Sequence, residues 1–196
     1  ALYRYAEWMA SQGRIVPLED GQWRQEPDYV KGLELFQRLV NEYRKGETRY
    51  YDQAQQQIKT ITSPALGVMV PNIFLPDSEI QFHLNWRNTL AIELALYKVD
   101  LTQDVRFSEK DSSEASWIQS IALIESALVK AWSKGIENKG DYKPGEETIR
   151  LGAKLPVGAY VLEAKSKGTK MRDLVLVTDA AIVLKTSGEQ ALVYFG

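Results

Sequence analysis

The residues of this 196-residue chain cannot form most of the common catalytic arrangements. The chain has no Cys and one His, His83, which excludes thiolate nucleophiles, disulfides, thiolate zinc sites and paired imidazole ligands. His83 alternates with Phe82 and Leu84, and no Ser or carboxylate is placed by a motif to form a catalytic triad with it. We therefore expect His83 to point away from the core and the chain to have no catalytic residues.

Acidic residues between positions 100 and 111 form the second group that could bind a ligand. Asp100, Asp104, Glu109 and Asp111 offer oxygen ligands suited to calcium, but they lack the Asp-x-Asp-x-Asp-Gly spacing of a calcium-binding loop. Glycine-rich phosphate-binding motifs and the Gly-x-Ser-x-Gly nucleophile motif are also absent. We expect a solvated loop, no metal, no cofactor and no enzyme activity.

Aromatic residues are the remaining feature that could bind a ligand, because the chain has five Trp and ten Tyr. Trp86 shares its strand face with Phe82 and Leu84, and Trp117 lies on an apolar stripe, so core packing is favoured for both. Trp23 lies in a polar segment and is free to be exposed. A carbohydrate-binding β-sandwich module is therefore an alternative function.

Composition and charge disfavour nucleic acid as a partner, and the apolar pattern argues against a membrane-spanning segment. Lys and Arg number 24 against 26 Asp and Glu, and the net charge of −2 gives no electrostatic reason to expect nucleic acid. No apolar run approaches the roughly 20 residues that a membrane-spanning helix needs. The chain begins without Met or a signal-peptide pattern and ends within a strand-like run, so we expect it to be part of a longer protein.

Apolar residues recur with helical spacing from residue 1 to about residue 61. The pattern predicts a short helix that ends at Gly13, a loop over residues 15–27, and a second helix that begins after Asp28 and ends at Gly46. A third helix is predicted from near Glu47. We interpret residues 1–61 as a helical hairpin region.

The third predicted helix contains Tyr51-Asp52-Gln53-Ala54, which is similar to the second helix of a tetratricopeptide repeat. In such repeats a small residue allows neighbouring helices to pack closely. A repeat-type peptide-binding adaptor is therefore a further alternative function.

At Pro64 the apolar period changes from helical to alternating. Alternation predicts strands at residues 66–70, 80–86, 90–101, 159–164, 174–178, 182–185 and 192–195. A helical insertion is predicted at about residues 108–152. Within it, Leu128, Lys130 and Trp132 fit both a helical stripe and strand alternation. The spacing thus leaves open whether residues 126–136 are helix or strand. The pattern predicts an α+β chain with an antiparallel β-sandwich of roughly seven strands over residues 62–196.

Short motifs in a fixed order resemble the macroglobulin-type domains of large bacterial alpha-2-macroglobulin-like proteins. The matching segments are Pro64-Ala65-Leu66-Gly67-Val68, Trp86-Arg87-Asn88, Leu96-Tyr97-Lys98-Val99-Asp100, Ala131-Trp132-Ser133, Gly140-Asp141-Tyr142, Leu155-Pro156-Val157-Gly158-Ala159-Tyr160 and Leu176-Val177-Thr178-Asp179. The resemblance covers residues 62–196 and implies a macroglobulin or fibronectin-III-like sandwich. It also favours a helix that stops near Ser126 and a strand that runs to Ile136.

The resemblance implies a non-enzymatic structural and interaction module. The proteins of that family are extracytoplasmic and lie in the periplasm or on the cell surface. They inhibit proteases by changing shape after a protease cleaves their bait segment. The partners implied are the neighbouring domains of the same parent chain and, through the whole protein, a protease.

One tetrapeptide, Ser187-Gly188-Glu189-Gln190, differs by one residue from the thioester motif of that family, Cys-Gly-Glu-Gln. A thioester requires the sulfur of a Cys, which Ser187 lacks. The tetrapeptide lies between two strand-like runs and contains Gly188, so we predict a hairpin turn there.

Overall fold

The computed structural model describes residues 1–71, 73–103, 114–137, 139–180, 182–188 and 190–195. The chain is α+β, with strands that pair in antiparallel sheets. It divides into two units. The helical unit comprises Ala1–Ala65, Trp86–Leu90 and Ile136–Gly145, and the sheet unit comprises Leu66–Asn85, Ala91–Gly135 and Glu146–Gly196.

The first 62 residues contain three helices and one hairpin. In chain order these elements are α1 (Leu2–Ser11), β1 (Arg14–Pro17), β2 (Trp23–Glu26), α2 (Tyr29–Glu42) and α3 (Tyr51–Thr62). The three predicted helices are confirmed. The prediction of a loop over residues 15–27 is wrong, since β1 and β2 pair in antiparallel register. Most side chains of both strands are exposed, so no alternation of apolar and polar residues revealed them.

Helix ends follow from local hydrogen bonds. The Asp28 carboxylate accepts a hydrogen bond from the Lys31 backbone N–H at 2.9 Å, and this N-cap begins α2 as predicted. Helix α3 begins at Tyr51 and not near Glu47, because the Glu47 carboxylate accepts a hydrogen bond from the Arg44 N–H at 2.6 Å and holds a turn there. Gly13 has a φ of +68° beyond the end of α1, as its predicted capping role requires.

The core of the helical unit is formed by one face of each helix. Its buried members are Tyr3, Ala6, Met9, Leu33, Leu35, Phe36, Leu39, Ala54 and Ile61. On α1 the side chain of Tyr3 is buried, whereas that of Tyr5 is exposed. The small residue Ala54 is fully buried against this core.

The remaining elements begin at Ala65. In chain order they are β3 (Ala65–Met69), β4 (Gln81–Arg87), β5 (Ala91–Val99), α4 (Glu114–Ser120), a 3-10 turn (Glu125–Ala127), β6 (Leu128–Gly135), β7 (Gly145–Arg150), β8 (Gly158–Ser166), β9 (Thr169–Val177), β10 (Ile182–Ser187) and β11 (Gln190–Phe195). One sheet has the order β3-β4-β7 and another the order β6-β5-β8-β9, while β10 pairs with β11.

Within residues 126–136, Leu128–Gly135 form strand β6, which follows the 3-10 turn. Trp132 pairs with Leu94 across β5 and β6, which settles the alternative that the spacing left open. The preceding helix ends at Ser120, earlier than Ser126. Strand β7 was not predicted, because Ile149 is its only large apolar residue. Among its described residues, the segment interpreted as a helical insertion at about 108–152 therefore contains α4, the 3-10 turn and the strands β6 and β7.

Alternation at the central strands produces the core of the sheet unit. Phe82 and Leu84 on β4 are buried, as are Leu94 and Leu96 on β5 and Leu162 on β8. The Phe82 ring meets the edge of the Trp132 ring at a centroid distance of 6.3 Å, which joins side chains of the two larger sheets.

Candidate functional site

His83 lies on the strand face opposite Phe82 and Leu84, as alternation predicted. It is half-buried, and its Nδ1 lies 2.8 Å from the Thr148 hydroxyl oxygen. The open groove beside it measures about 560 Å³ and is also lined by Glu147, whose carboxylate forms an ion pair with Lys134 at 2.6 Å. The imidazole is thus hydrogen bonded to a Thr hydroxyl, and Glu147 is held by a lysine.

The acidic residues near position 100 form a turn where the structure describes them. The Asp100 carboxylate accepts hydrogen bonds from the Thr102 hydroxyl at 2.6 Å and from the Thr102 backbone N–H at 2.9 Å. These bonds hold the pKa of Asp100 below its usual value. Asp104, Glu109 and Asp111 lie outside the described residues. Within the described part of the chain, no three His, Asp or Glu residues are grouped to hold a metal ion.

The thioester-like tetrapeptide is a hairpin turn, as predicted. Ser187 pairs with Gln190 at the end of β10 and β11, and Gly188 between them has a φ of +56°. Glu189 lies outside the described residues. None of the helices among the described residues is long and apolar enough to cross a bilayer.

The aromatic residues divide into exposed and packed groups. Trp23 is 65% exposed, as predicted. Trp8 is 45% exposed, and its ring lies nearly parallel to the Tyr5 ring. The sequence pattern did not predict this aromatic pair. Trp132 is half-buried, and the Lys130 ammonium lies 5.2 Å from its ring centroid. The cation covers one face of Trp132 that a sugar would need, which disfavours a carbohydrate platform at this strand.

The outer face of the four-stranded sheet carries a buried ionic network. Part of this face is covered by α4 and the residues after it, which pack on β5 and β8. The buried members of this cluster are Val99, Ile118, Ile121, Ala159 and Val161. Strand β8 is buried on both faces for this reason, with Leu162 facing the core and Val161 facing α4.

Glu163 lies beside that cluster and is 2% exposed. Its carboxylate accepts hydrogen bonds from Arg172 Nε at 2.6 Å and from Lys165 Nζ at 2.5 Å. Burial raises the pKa of Glu163, but the two hydrogen bonds and the positive charges of Lys165 and Arg172 outweigh it, so the net pKa lies below the ordinary value. The hydrogen bond to the Glu163 carboxylate raises the pKa of Lys165.

Arg172 connects this carboxylate to α4. Its Nη1 donates to the backbone carbonyls of Gln119 at 3.1 Å and Ile121 at 2.7 Å, while the Gln119 side chain donates to the Arg172 carbonyl at 3.3 Å. Carbonyl groups at the end of a helix lack intrahelical partners, and a guanidinium satisfies two of them here. The network therefore fixes α4 on the sheet.

This network was not predicted, although the sequence carries a signal for it. Glu163 interrupts an apolar run in β8, and a two-residue turn at Lys167-Gly168 pairs it with Arg172. Next to Glu163 an open groove of about 420 Å³ is lined by Glu93, Tyr97 and Lys165 among others. The outer face of the four-stranded sheet, with this groove and the part that α4 covers, is therefore the candidate interaction surface.

Comparisons with known proteins add no assignment. No protein-family model matches the chain, and no curated protein matches it. The function is therefore argued from the fold and from the outer sheet face.

Proposed function

We propose that the chain is a non-enzymatic structural and interaction module of a large extracytoplasmic bacterial protein that resembles the alpha-2-macroglobulins and inhibits proteases. The observation that carries the proposal is the strand arrangement, a three-stranded sheet and a four-stranded sheet with a contact between the Phe82 and Trp132 rings. The macroglobulin or fibronectin-III-like sandwich that the motif resemblance implies also has about seven strands, and this agreement in strand number supports the proposal.

The use of buried charge supports a structural role. Glu163 and Arg172 are the charged residues most deeply buried in the outer sheet face, and both bind each other and the end of α4. A catalytic carboxylate would need free access to a substrate, whereas this one is enclosed by two cations. The Glu163–Arg172 pair therefore has a structural role in the proposed module.

A module of this kind would work by staying rigid while the parent protein changes shape. Strand β8 is enclosed between the core and α4, and the Glu163–Arg172 pair holds α4 in place. Its proposed partners are the neighbouring domains of the parent chain and, through the whole protein, a protease. The proposed location is the periplasm or the cell surface.

The test uses the parent protein that contains this segment, incubated with a protease such as trypsin. We expect cleavage of the parent to be followed by loss of trypsin activity on a large protein substrate, while activity on a small peptide substrate persists. A compaction seen by small-angle scattering should accompany the loss. Full activity on the large substrate, or a parent with no other macroglobulin-type domain, would contradict the proposal.

A further inference from the structure

The turn between β8 and β9 has an unusual composition. Lys167 and Gly168 form a two-residue hairpin with φ values of +45° and +79°, between the paired residues Ser166 and Thr169. A two-residue turn with positive φ at both positions favours Asn-Gly or Gly-Gly. Lys at the first position costs free energy, because its Cβ crowds the backbone in the left-handed region. The turn thus carries a lysine where a better turn residue is available.

A second unfavourable choice lies directly beside this turn. Lys165 and Lys170 are paired across β8 and β9, so their side chains leave the same face of the sheet. Like charges directly opposite each other destabilise a strand pair. The Glu163 carboxylate binds both Lys165 and Arg172, and Glu93 lies opposite Lys165 on β5, so two carboxylates lie beside the three cations Lys165, Lys170 and Arg172.

These lysines surround an open groove of about 530 Å³. The groove is lined by Ala91, Glu93, Lys165, Ser166, Lys167, Gly168, Thr169 and Lys170. Three of these residues are cationic and one is anionic, which gives the groove an excess of positive charge in a chain whose net charge is −2. Charge, strand pairing and turn geometry therefore converge on one end of the β8–β9 hairpin.

We propose that this lysine groove binds an acidic peptide segment of a partner protein. Ammonium groups are compact point charges, and Lys167 and Lys170 carry them at the turn and on β9, beside the Lys165 ammonium that Glu163 already binds, where carboxylates of an extended segment can reach them. A bound acidic segment would offset the repulsion between Lys165 and Lys170. Long polyanions are disfavoured by the negative charge of the whole chain. The inference does not depend on the macroglobulin proposal.

The test measures binding of fluorescein-labelled hexaglutamate by fluorescence anisotropy. We expect the 196-residue chain to bind the peptide at about 20 mM NaCl and to lose most of that binding at about 200 mM NaCl, since exposed charges are screened. The double variant Lys167→Asn and Lys170→Thr should lose affinity by about tenfold or more. Lys139→Gln, which removes one exposed positive charge elsewhere, should stay within about twofold of wild type.

A second readout separates a binding role from a purely structural one. Lys167→Asn places a residue that the turn prefers, so we expect the melting temperature to rise by about 2–4 °C while affinity for hexaglutamate falls. A rise in melting temperature with unchanged affinity would overturn the proposal. Absence of hexaglutamate binding at low salt would also overturn it, as would tighter binding of heparin through the same lysines.

Discussion

At the scale of single residues, the Glu163–Arg172 pair is the contact on which the outer sheet face depends most. Replacing Glu163 with Leu leaves the Arg172 guanidinium buried without its carboxylate, and we expect the free energy of unfolding to fall by about 3–5 kcal/mol. The double variant Glu163→Leu with Arg172→Met should recover part of this loss, since both charges are gone. Recovery should stop short of wild type because the Gln119 and Ile121 carbonyls lose their donor. Urea denaturation of the wild type, Glu163→Leu, Arg172→Met and the double variant measures the four free energies of unfolding that the double-mutant cycle needs.

The same pair predicts a dependence of stability on pH. The folded pKa of Glu163 is lowered, so its contribution is fully present above the unfolded value, near 4.5, and is lost as the pH falls through the folded pKa. Glu163→Leu should therefore flatten the stability profile below about pH 4.5. Lys165→Met is the matched control, because its side chain is 49% exposed and should cost about 0–1 kcal/mol. An equal cost for Lys165→Met and Arg172→Met would contradict the assignment.

At the scale of elements, the turn after β4 acts as the cap of α3. Asn88 has a φ of +55°, and its side-chain amide donates to the carbonyls of Ile61 at 2.7 Å and Ser63 at 3.0 Å. Arg87 adds a bond to the Thr60 carbonyl at 3.3 Å. Asn88→Asp removes the donors and places a negative charge at the negative end of the helix, so we expect a loss of about 2–3 kcal/mol.

The control for that prediction keeps the backbone and removes the amide. Asn88→Gly retains the left-handed conformation without strain and should cost about 1 kcal/mol. Asn85→Asp, at an exposed position of β4, should stay within about 0.5 kcal/mol of wild type. Hydrogen exchange should show faster opening of the last turn of α3 in Asn88→Asp alone. Equal exchange in all three variants would contradict a capping role.

Elements with one buried face were predictable, and elements without one were not. Helix α2 and strands β4 and β5 present apolar residues at a constant period, because each packs one side on a core. Strands β1 and β7 are mostly exposed, so nothing in their residue pattern distinguished them from loops. The roles of Asn88 and Arg172 depend on residues far away in the chain, and sequence spacing does not report such pairings.

At the scale of the whole molecule, the helical unit is assembled from three separate stretches of chain. Residues 86–90 supply the cap of α3, and residues 136–145 supply two further contacts to the first stretch. Tyr142 packs against the helical core, and the Lys143 ammonium lies 3.3 Å from the Glu26 carboxylate. The stability of the helices thus depends on residues that come after them in the chain.

This discontinuity predicts the behaviour of an N-terminal fragment. A fragment of residues 1–65 lacks Arg87, Asn88 and Tyr142, so the carbonyls at the end of α3 lose their donors and part of the helical core is uncovered. We expect the helical circular dichroism signal, divided by the number of residues in α1, α2 and α3, to be smaller for the fragment than for these helices in the 196-residue chain. We also expect the thermal unfolding of the fragment to be broad. Full-length Asn88→Gly is the control, since it loses one cap but keeps Tyr142 and should unfold cooperatively. Cooperative unfolding of the fragment at the temperature of the full chain would show that residues 1–65 fold without the later stretches.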